Sequence, residues 1–175
     1  KIMIAGGCGF IGSSLANFFL HKYPNSKIYI LDNLMRLGSE INLKRLRNDR
    51  LIFFKGDLSN KTSFDNLPTC DVFIDAAADP SVLSGLDSSV LKLINNNFTT
   101  TINAIEWCIK TKCKFLFLST SRVYPIKIID KISYTESPTR FEWMKKQNIK
   151  GLSDEGINES FTMNGYRSLY GSSKY

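Results

Sequence analysis

Short apolar runs alternate with amphipathic stretches along the first two thirds of the chain. Ile2-Met3-Ile4-Ala5, Lys27-Ile28-Tyr29-Ile30-Leu31, Leu51-Ile52-Phe53-Phe54, Asp71-Val72-Phe73-Ile74 and Phe115-Leu116-Phe117-Leu118 are continuous and rich in β-branched and aromatic residues. Runs of this kind and length read as strands buried on both faces. Between them lie a helical run from Ser13 to Phe19, a short helix carrying Ile41, Leu43 and Leu46, and a short polar helix near Lys61 to Asn66. A long helix is predicted from Leu86 to Lys112 on Val90, Leu91, Ile94, Ile102, Ile105 and Ile109. Asn95-Asn96-Asn97 is its weak point, because asparagine is a poor helix former. The alternation predicts an α/β fold: a doubly wound parallel sheet with helices on both faces and ligands at the carboxyl ends of the strands. Residues Pro125 to Tyr166 break the pattern, with Pro138, Gly151, Gly156 and Gly165 and a helical patch at Phe141 to Gln147. They read as a long loop region over the strand ends.

The first strand runs into Gly6-Gly7-Cys8-Gly9-Phe10-Ile11-Gly12 and then a helix. Gly6 permits a sharp turn, Gly9 admits a pyrophosphate close to the backbone, and Gly12 lets the helix pack on the strand. The helix N-terminus offers N–H groups and a positive dipole end to phosphates. Asp32 ends the second strand twenty residues beyond Gly12, near the spacing of a carboxylate that accepts hydrogen bonds from an adenosine ribose. These features predict a Rossmann dinucleotide site for NAD. Arg36 would serve a 2′-phosphate, and so NADP, only if Asp32 turned away.

The chain has 175 residues, enough for one well-buried α/β domain, so residues 1–175 are expected to form one NAD-binding domain. No apolar run is long enough for a membrane span, and the opening residues are a strand and turn, not a signal peptide. A cytoplasmic protein with no membrane partner is expected. Cys8, Cys70, Cys108 and Cys113 lack paired spacing, so they are read as reduced thiols with no metal site. The net charge of +7 is dispersed over segments such as Lys44-Arg45-Leu46-Arg47 and Lys145-Lys146. It is read as a solvated surface and not a nucleic-acid interface, although an anionic ligand would profit from the field.

A second signal follows strand five, where Ser119-Thr120-Ser121-Arg122-Val123-Tyr124 precedes, much later, Tyr170-Gly171-Ser172-Ser173-Lys174. A tyrosine and a lysine four apart share one helix face, so the ammonium can lower the phenol pKa. Tyr170 could then take a proton from a substrate hydroxyl that Thr120 orients. Plainer roles are open for these and other residues. Ser119 and Thr120 could satisfy backbone groups at a strand end, and Asp57 could cap the turn near Ser59. His21 reads as a helix-end surface residue, Phe141 and Trp143 as apolar anchors, and Arg122 and Arg167 as either pyrophosphate ligands or surface charge.

Over nearly all of its length the chain resembles the extended short-chain dehydrogenase/reductases, specifically the nucleotide-sugar epimerases and dehydratases. The resemblance rests on Ala5 to Gly12, Asp32-Asn33-Leu34, Gly56-Asp57-Leu58, Ala76-Ala77, Asn97 to Thr101, Ser119-Thr120-Ser121, and Tyr170 with Lys174. It implies a cofactor site made by Gly6, Gly9, Phe10, Ile11, Gly12, Asp32, Asn33, Asp57, Leu58, Ala76, Ala77, Ala78, Asn97 and Ser119. It also implies catalysis by Tyr170 with Thr120, and a hold on the nicotinamide ribose by Lys174. Asp75 stands where many relatives carry histidine, and Pro125 where glycine is common. Sugar 4,6-dehydratases place aspartate and glutamate directly after the threonine; Ser121 and Arg122 here disfavour dehydration. The stretches Asp32 to Leu43 and Gly151 to Tyr170 look most like those of CDP-paratose 2-epimerases. Other nucleotide-sugar epimerases or decarboxylases, such as UDP-glucose 4-epimerases, are the alternative, and a non-catalytic NAD-binding scaffold or sensor is the alternative of another class. The resemblance further implies a nucleotide-sugar substrate, a homodimer, and an enzyme of which this chain is the N-terminal part, its smaller substrate domain lying beyond Tyr175.

Overall fold

Five of the apolar runs pair in parallel within Lys1–Leu118, one of two compact units; the other is Ser119–Tyr175. The computed structural model describes residues 1–81, 83, 89–144 and 147–175, so the helix start expected at Leu86 and the Lys145-Lys146 pair lie outside the described residues. The strands are β1 (Ile2–Ala5), β2 (Ile28–Asp32), β3 (Leu51–Lys55), β4 (Val72–Asp75) and β5 (Lys114–Phe117), in the order β3-β2-β1-β4-β5. The order reverses beside β1, which pairs with β2 on one side and β4 on the other, aligning Ala5 with Leu31 and with Asp75. Such a reversal opens a crevice at the carboxyl ends of the strands.

Because successive side chains point to opposite faces, the sheet divides its apolar residues between two cores. Met3, Tyr29 and Phe73 pack with Ala104, Trp107 and Cys108 of α4 (Thr100–Thr111). Ile4, Ile28, Ile30 and Ile74 pack with Ala16 and Leu20 of α1 (Phe10–Lys22). The doubly wound α/β sheet is therefore present. Among the described residues β5 is an edge, and it alternates in exposure, with Lys114 and Leu116 exposed, where a uniformly buried strand was expected. A strand with one neighbour has less to bury it.

The shorter helical elements are α2 (Ser39–Arg45) and a 3-10 turn at Lys61–Phe64. The long helix is broken into α3 (Val90–Ile94), a π turn at Asn95–Thr99, and α4. The break falls on the asparagines, and the Thr100 hydroxyl donates to the carbonyl of Asn96 there. Among the described residues no helix is long and apolar enough to cross a membrane.

In the second unit a 3-10 turn (Ser121–Val123) precedes the expected long loop, which contains α5 (Ile126–Ile129) and two hairpins, β6 (Tyr134–Glu136) with β7 (Phe141–Trp143) and β8 (Leu152–Ser153) with β9 (Gly156–Ile157). A short helix α6 (Leu169–Ser173) closes it. The first three residues of the expected helical patch, Phe141–Trp143, thus form a strand. Phe141 meets Tyr134 edge-to-face at 5.0 Å across the hairpin, and aromatic cross-strand pairs favour strand over helix.

The end of α1 is held by Arg50, whose guanidinium donates to the carbonyls of Leu20 at 2.6 Å, Tyr23 at 3.2 Å and Ser26 at 3.3 Å. A positive group there answers both the unpaired carbonyls and the helix dipole. Replacing Arg50 by Ala should lower stability by about 1–3 kcal/mol in urea denaturation, and Arg50→Lys should restore little of it, because one ammonium cannot reproduce the fork. A change below about 0.5 kcal/mol would show that water replaces the guanidinium fully.

Candidate functional site

The glycine turn is dictated by lack of room. Gly6 has φ +67°, and a Cβ on it would lie 2.8 Å from the backbone N and Cα of Ala77. A Cβ on Gly12 would stand 2.2 Å from the Gly6 carbonyl oxygen. The first turn of α1 is therefore drawn against the end of β1, and the end of β1 against the Ala76-Ala77 backbone after β4. Gly9 is the N-cap of α1 and supplies no side-chain cap, which leaves the first-turn N–H groups to an outside acceptor. Phe10 is 82% exposed beside them, and Ile11 is also exposed.

Asp32 ends β2 buried, with one carboxylate oxygen accepting from the Cys8 N–H at 2.9 Å and the other from the Leu34 N–H at 2.8 Å. Leu34 takes a left-handed φ of 58° to make that bond. The Asn42 amide of α2 donates to the Cys8 carbonyl at 2.9 Å, a clasp on the glycine turn that the sequence pattern does not announce. Cys8 itself is buried, and burial, then the charges of Asp32 and Glu40, push its thiol up to about 12. It is a packing residue. Arg36 is exposed; since two N–H groups hold Asp32 in place, the acid does not turn away from the turn.

Asp57, after β3, accepts from the Ser59 N–H at 2.9 Å and hydroxyl at 2.7 Å, and from the Asn33 amide at 3.0 Å. Burial opposes its charge, but these hydrogen bonds outweigh burial and hold the carboxyl below its ordinary range. Asn33 and Asp57 are thus brought together, tying the ends of β2 and β3. The Asn103 amide of α4 donates to the Leu58 carbonyl at 2.8 Å, which fixes buried Leu58.

After β4, Ala76, Ala77 and Ala78 are partly buried. Asp75 is fully buried and accepts from the Ala77 N–H at 3.2 Å and the Thr101 hydroxyl at 2.8 Å. Asn97, in the π turn, is also fully buried; its amide oxygen accepts from the Asp79 N–H at 2.7 Å and its NH2 donates to the Asp79 carbonyl at 3.2 Å. That geometry makes Asn97 a positioning residue for the loop after β4.

In the second unit, Thr120 caps the 3-10 turn, its hydroxyl oxygen accepting from the Arg122 N–H at 3.3 Å. A Cβ on Gly171 would stand 2.2 Å from the Arg122 carbonyl oxygen, so α6 lies directly on that turn. The Ser119 hydroxyl donates to the Lys174 carbonyl at 2.9 Å. The unit therefore brings the Ser119-Thr120 segment to Tyr170 and Lys174. Tyr170 is 8% and Lys174 3% exposed. Lys174 is the C-cap of α6, one residue past its end. Arg167 donates to the carbonyls of Val123 at 2.7 Å and Met163 at 2.6 Å and stacks over Tyr175, which makes it a brace for this segment.

The profile of the NAD dependent epimerase/dehydratase family matches residues 2–147. The chain belongs to this family. It is 31% identical over 180 aligned residues to CDP-paratose 2-epimerase of Salmonella typhi, covering 99% of this chain and 49% of that one. It is 35% identical over 135 residues to dTDP-D-glucose 4,6-dehydratase of Dictyostelium discoideum, covering 74% of this chain and 31% of that one. Among solved structures, the UDP-Glc/GlcNAc 4-epimerase of Campylobacter jejuni superposes with a TM-score of 0.72 at 28% identity, over 99% of this chain and 45% of that one. The chain thus spans half or less of the length of these relatives.

NAD is the cofactor of this family, and the first unit fits it. Gly6 and Gly12 leave no room for a Cβ in the turn before α1, the N-terminus of α1 lacks a side-chain cap, and a pinned carboxylate stands at the end of β2.

Since the folded pKa of Asp57 is depressed, its contribution to stability is present above the usual carboxylate range and is lost as pH falls through the folded value. Asp57→Asn should therefore flatten the decline of melting temperature between about pH 5 and pH 2 relative to the unchanged chain. Parallel curves would show that the hydrogen bonds from Ser59 and Asn33 do not favour the charged form.

Proposed function

We propose that this chain is the cofactor-holding part of a nucleotide-sugar epimerase, and that its substrate is a CDP-linked sugar epimerised at C2, as the name of its Salmonella relative describes. The observation that carries the reading is the burial of Tyr170 and Lys174 in the second unit, with α6 drawn onto the Thr120–Arg122 turn at Gly171 and Ser119 bonded to the Lys174 backbone. A scaffold that only binds a dinucleotide has no need of a buried tyrosine and lysine at a helix packed on the Thr120–Arg122 turn. The match to the CDP-paratose epimerase over 99% of the chain supports the substrate, whereas the dehydratase match covers 74%. Ser121 and Arg122, in place of two acids, favour epimerisation over loss of water.

In this reading Gly6, Gly9, Phe10, Ile11 and Gly12 hold the pyrophosphate, Asp32 and Asn33 the adenosine ribose, and Asp57 with Leu58 the adenine. Ala76, Ala77 and Ala78 line the path between, and Ser119, Tyr170 and Lys174 serve the nicotinamide side. When bound, NAD supplies a reversible acceptor for the hydride on the sugar carbon. The Tyr170 oxygen, as the phenolate, takes the proton from the sugar hydroxyl, and Lys174 holds the nicotinamide ribose. The Thr120 hydroxyl orients the same sugar oxygen. The ketone so formed presents its other face, and Tyr170 returns the proton as configuration inverts, without net redox change. We place this enzyme in the cytoplasm and expect a homodimer, supported by the exposed apolar stripe Leu91, Ile94, Phe98, Ile102 and Ile109 along α3, the π turn and α4.

Full-length protein incubated with CDP-paratose, CDP-tyvelose, UDP-glucose and dTDP-glucose should interconvert only the two CDP sugars by NMR, with NAD recovered from the protein. Conversion of another sugar, or dehydration of dTDP-glucose, would move the assignment within the family. Tyr170→Phe should leave NAD binding nearly intact and lower turnover by about 100-fold or more; persistence of turnover would overturn the mechanism, and NAD binding with no turnover of any sugar by the unchanged enzyme would favour the scaffold.

A further inference from the structure

Three of the four cysteines, dispersed in sequence, meet at one end of the sheet in the first unit. Cys70 leads into β4, Cys113 leads into β5, and Cys108 lies near the end of α4. The Sγ atoms of Cys70 and Cys113 are 3.2 Å apart. Backbone geometry builds this approach. The Lys114 N–H donates to the Asp71 carbonyl at 3.1 Å, so the two segments enter neighbouring parallel strands side by side. At the end of α4, Lys112 takes a left-handed φ of 55° and the Cys113 N–H returns to the Cys108 carbonyl at 2.9 Å, a helix-closing pattern that sets the direction of the residue after the turn. All three thiols are free, Cys70 and Cys108 buried and Cys113 partly exposed. Among the described residues no cluster is arranged to hold a metal ion, and none of the three belongs to the sites described above.

We propose that Cys70 and Cys113 form an oxidation site, a thiol pair that a hydroperoxide converts to a disulfide stapling the β4-to-β5 crossover. Cys113 is the thiol that solvent reaches, so its sulfur attacks one peroxide oxygen; the O–O bond breaks, leaving a sulfenic acid and one water. The Cys70 sulfur then attacks the sulfenic sulfur, the S–S bond forms, and the departing hydroxide takes the Cys70 proton as a second water. Two thiols lose two electrons and two protons, and one hydrogen peroxide becomes two waters. From 3.2 Å the sulfurs need close by only about 1.1 Å to reach covalent distance. Burial, then hydrogen bonding and charge from Cys113, holds the Cys70 thiol well above its ordinary range. Cys70 therefore acts through proximity as the resolving thiol and not as a free nucleophile. The closed loop joins residues 43 apart, enclosing Ala76–Ala78, the π turn and α4, and so restricts the unfolded chain.

The full-length protein would be treated with hydrogen peroxide under native conditions, alkylated, digested without reduction, and mapped by mass spectrometry. The expected product is a Cys70 peptide joined to a Cys113 peptide with loss of two hydrogens, reversed by dithiothreitol, with a melting temperature raised by roughly 5 °C or more. Cys113→Ser should abolish the link and Cys108→Ser should retain it. A Cys108–Cys113 link, a sulfinic acid on Cys113 with Cys70 unlinked, or no Cys70–Cys113 peptide from the folded protein would each overturn the proposal. The linked peptide is read on the unsubstituted protein, so the result does not depend on a variant that folds.

Discussion

Between the end of β1 and the first turn of α1 there is room for a hydrogen and nothing larger. A methyl on Gly12 would meet the Gly6 carbonyl at 2.2 Å, and one on Gly6 would meet the Ala77 backbone at 2.8 Å. This approach brings the helix N-terminus to the point where the strand order reverses. It requires glycine at both positions, because the atoms a Cβ would meet there belong to the backbone. A larger residue at either of them would lift α1 away from the sheet, and with it the N–H groups on which a diphosphate depends.

Around that contact, polar side chains replace the hydrogen bonds that strand ends lose where the sheet stops. Asp32 holds the glycine turn through Cys8, Asn42 holds the same residue from the other side, and Asn33 joins Asp57. Asn97 grips both backbone groups of Asp79, and Asp75 takes a hydroxyl from Thr101. Among the described residues no buried side-chain nitrogen or oxygen lacks a partner. Buried polar groups are stabilising only when satisfied in this way, and a satisfied network keeps loops in one conformation. The crevice side of the first unit is therefore pre-shaped by its own hydrogen bonds.

The central strands, the glycine turn and Asp32 were legible because each is a local pattern. Runs such as Ile28 to Leu31 admit few alternatives, and a strand, turn and helix within twelve residues need no distant partner to be recognised. Errors arose where a distant contact decides the outcome. Phe141-Glu142-Trp143 is too short a run to decide between helix and strand, and it is pairing with Tyr134–Glu136 that makes it a strand. Asn42 looks like the polar face of a short helix until the fold brings it 2.9 Å from the Cys8 carbonyl. The Cys70–Cys113 pair, 43 residues apart, shows no spacing signature, since its separation is the length of one crossover and not a motif. Arg167 reads in the sequence as either an anion ligand or a surface charge, and the fold turns two of its donors onto the Val123 and Met163 carbonyls.

In the proposed cofactor site, the choice of dinucleotide would follow from how Asp32 is held. A carboxylate free to rotate could yield to a 2′-phosphate and let Arg36 take over its place. Here each oxygen already accepts a backbone N–H, one from Cys8 in the glycine turn and one from Leu34. Rotation would break both bonds and release the left-handed Leu34 turn made to satisfy one of them. Each carboxylate oxygen retains a second lone pair for a ribose hydroxyl. A phosphate dianion at the same place would instead face a fixed negative charge in a partly dehydrated setting, where like charges repel far more strongly than in water. In the proposed cofactor site, the hydrogen bonds that order the turn would thus also make it selective for an unphosphorylated ribose, with no residue needed beyond the ones that build the fold.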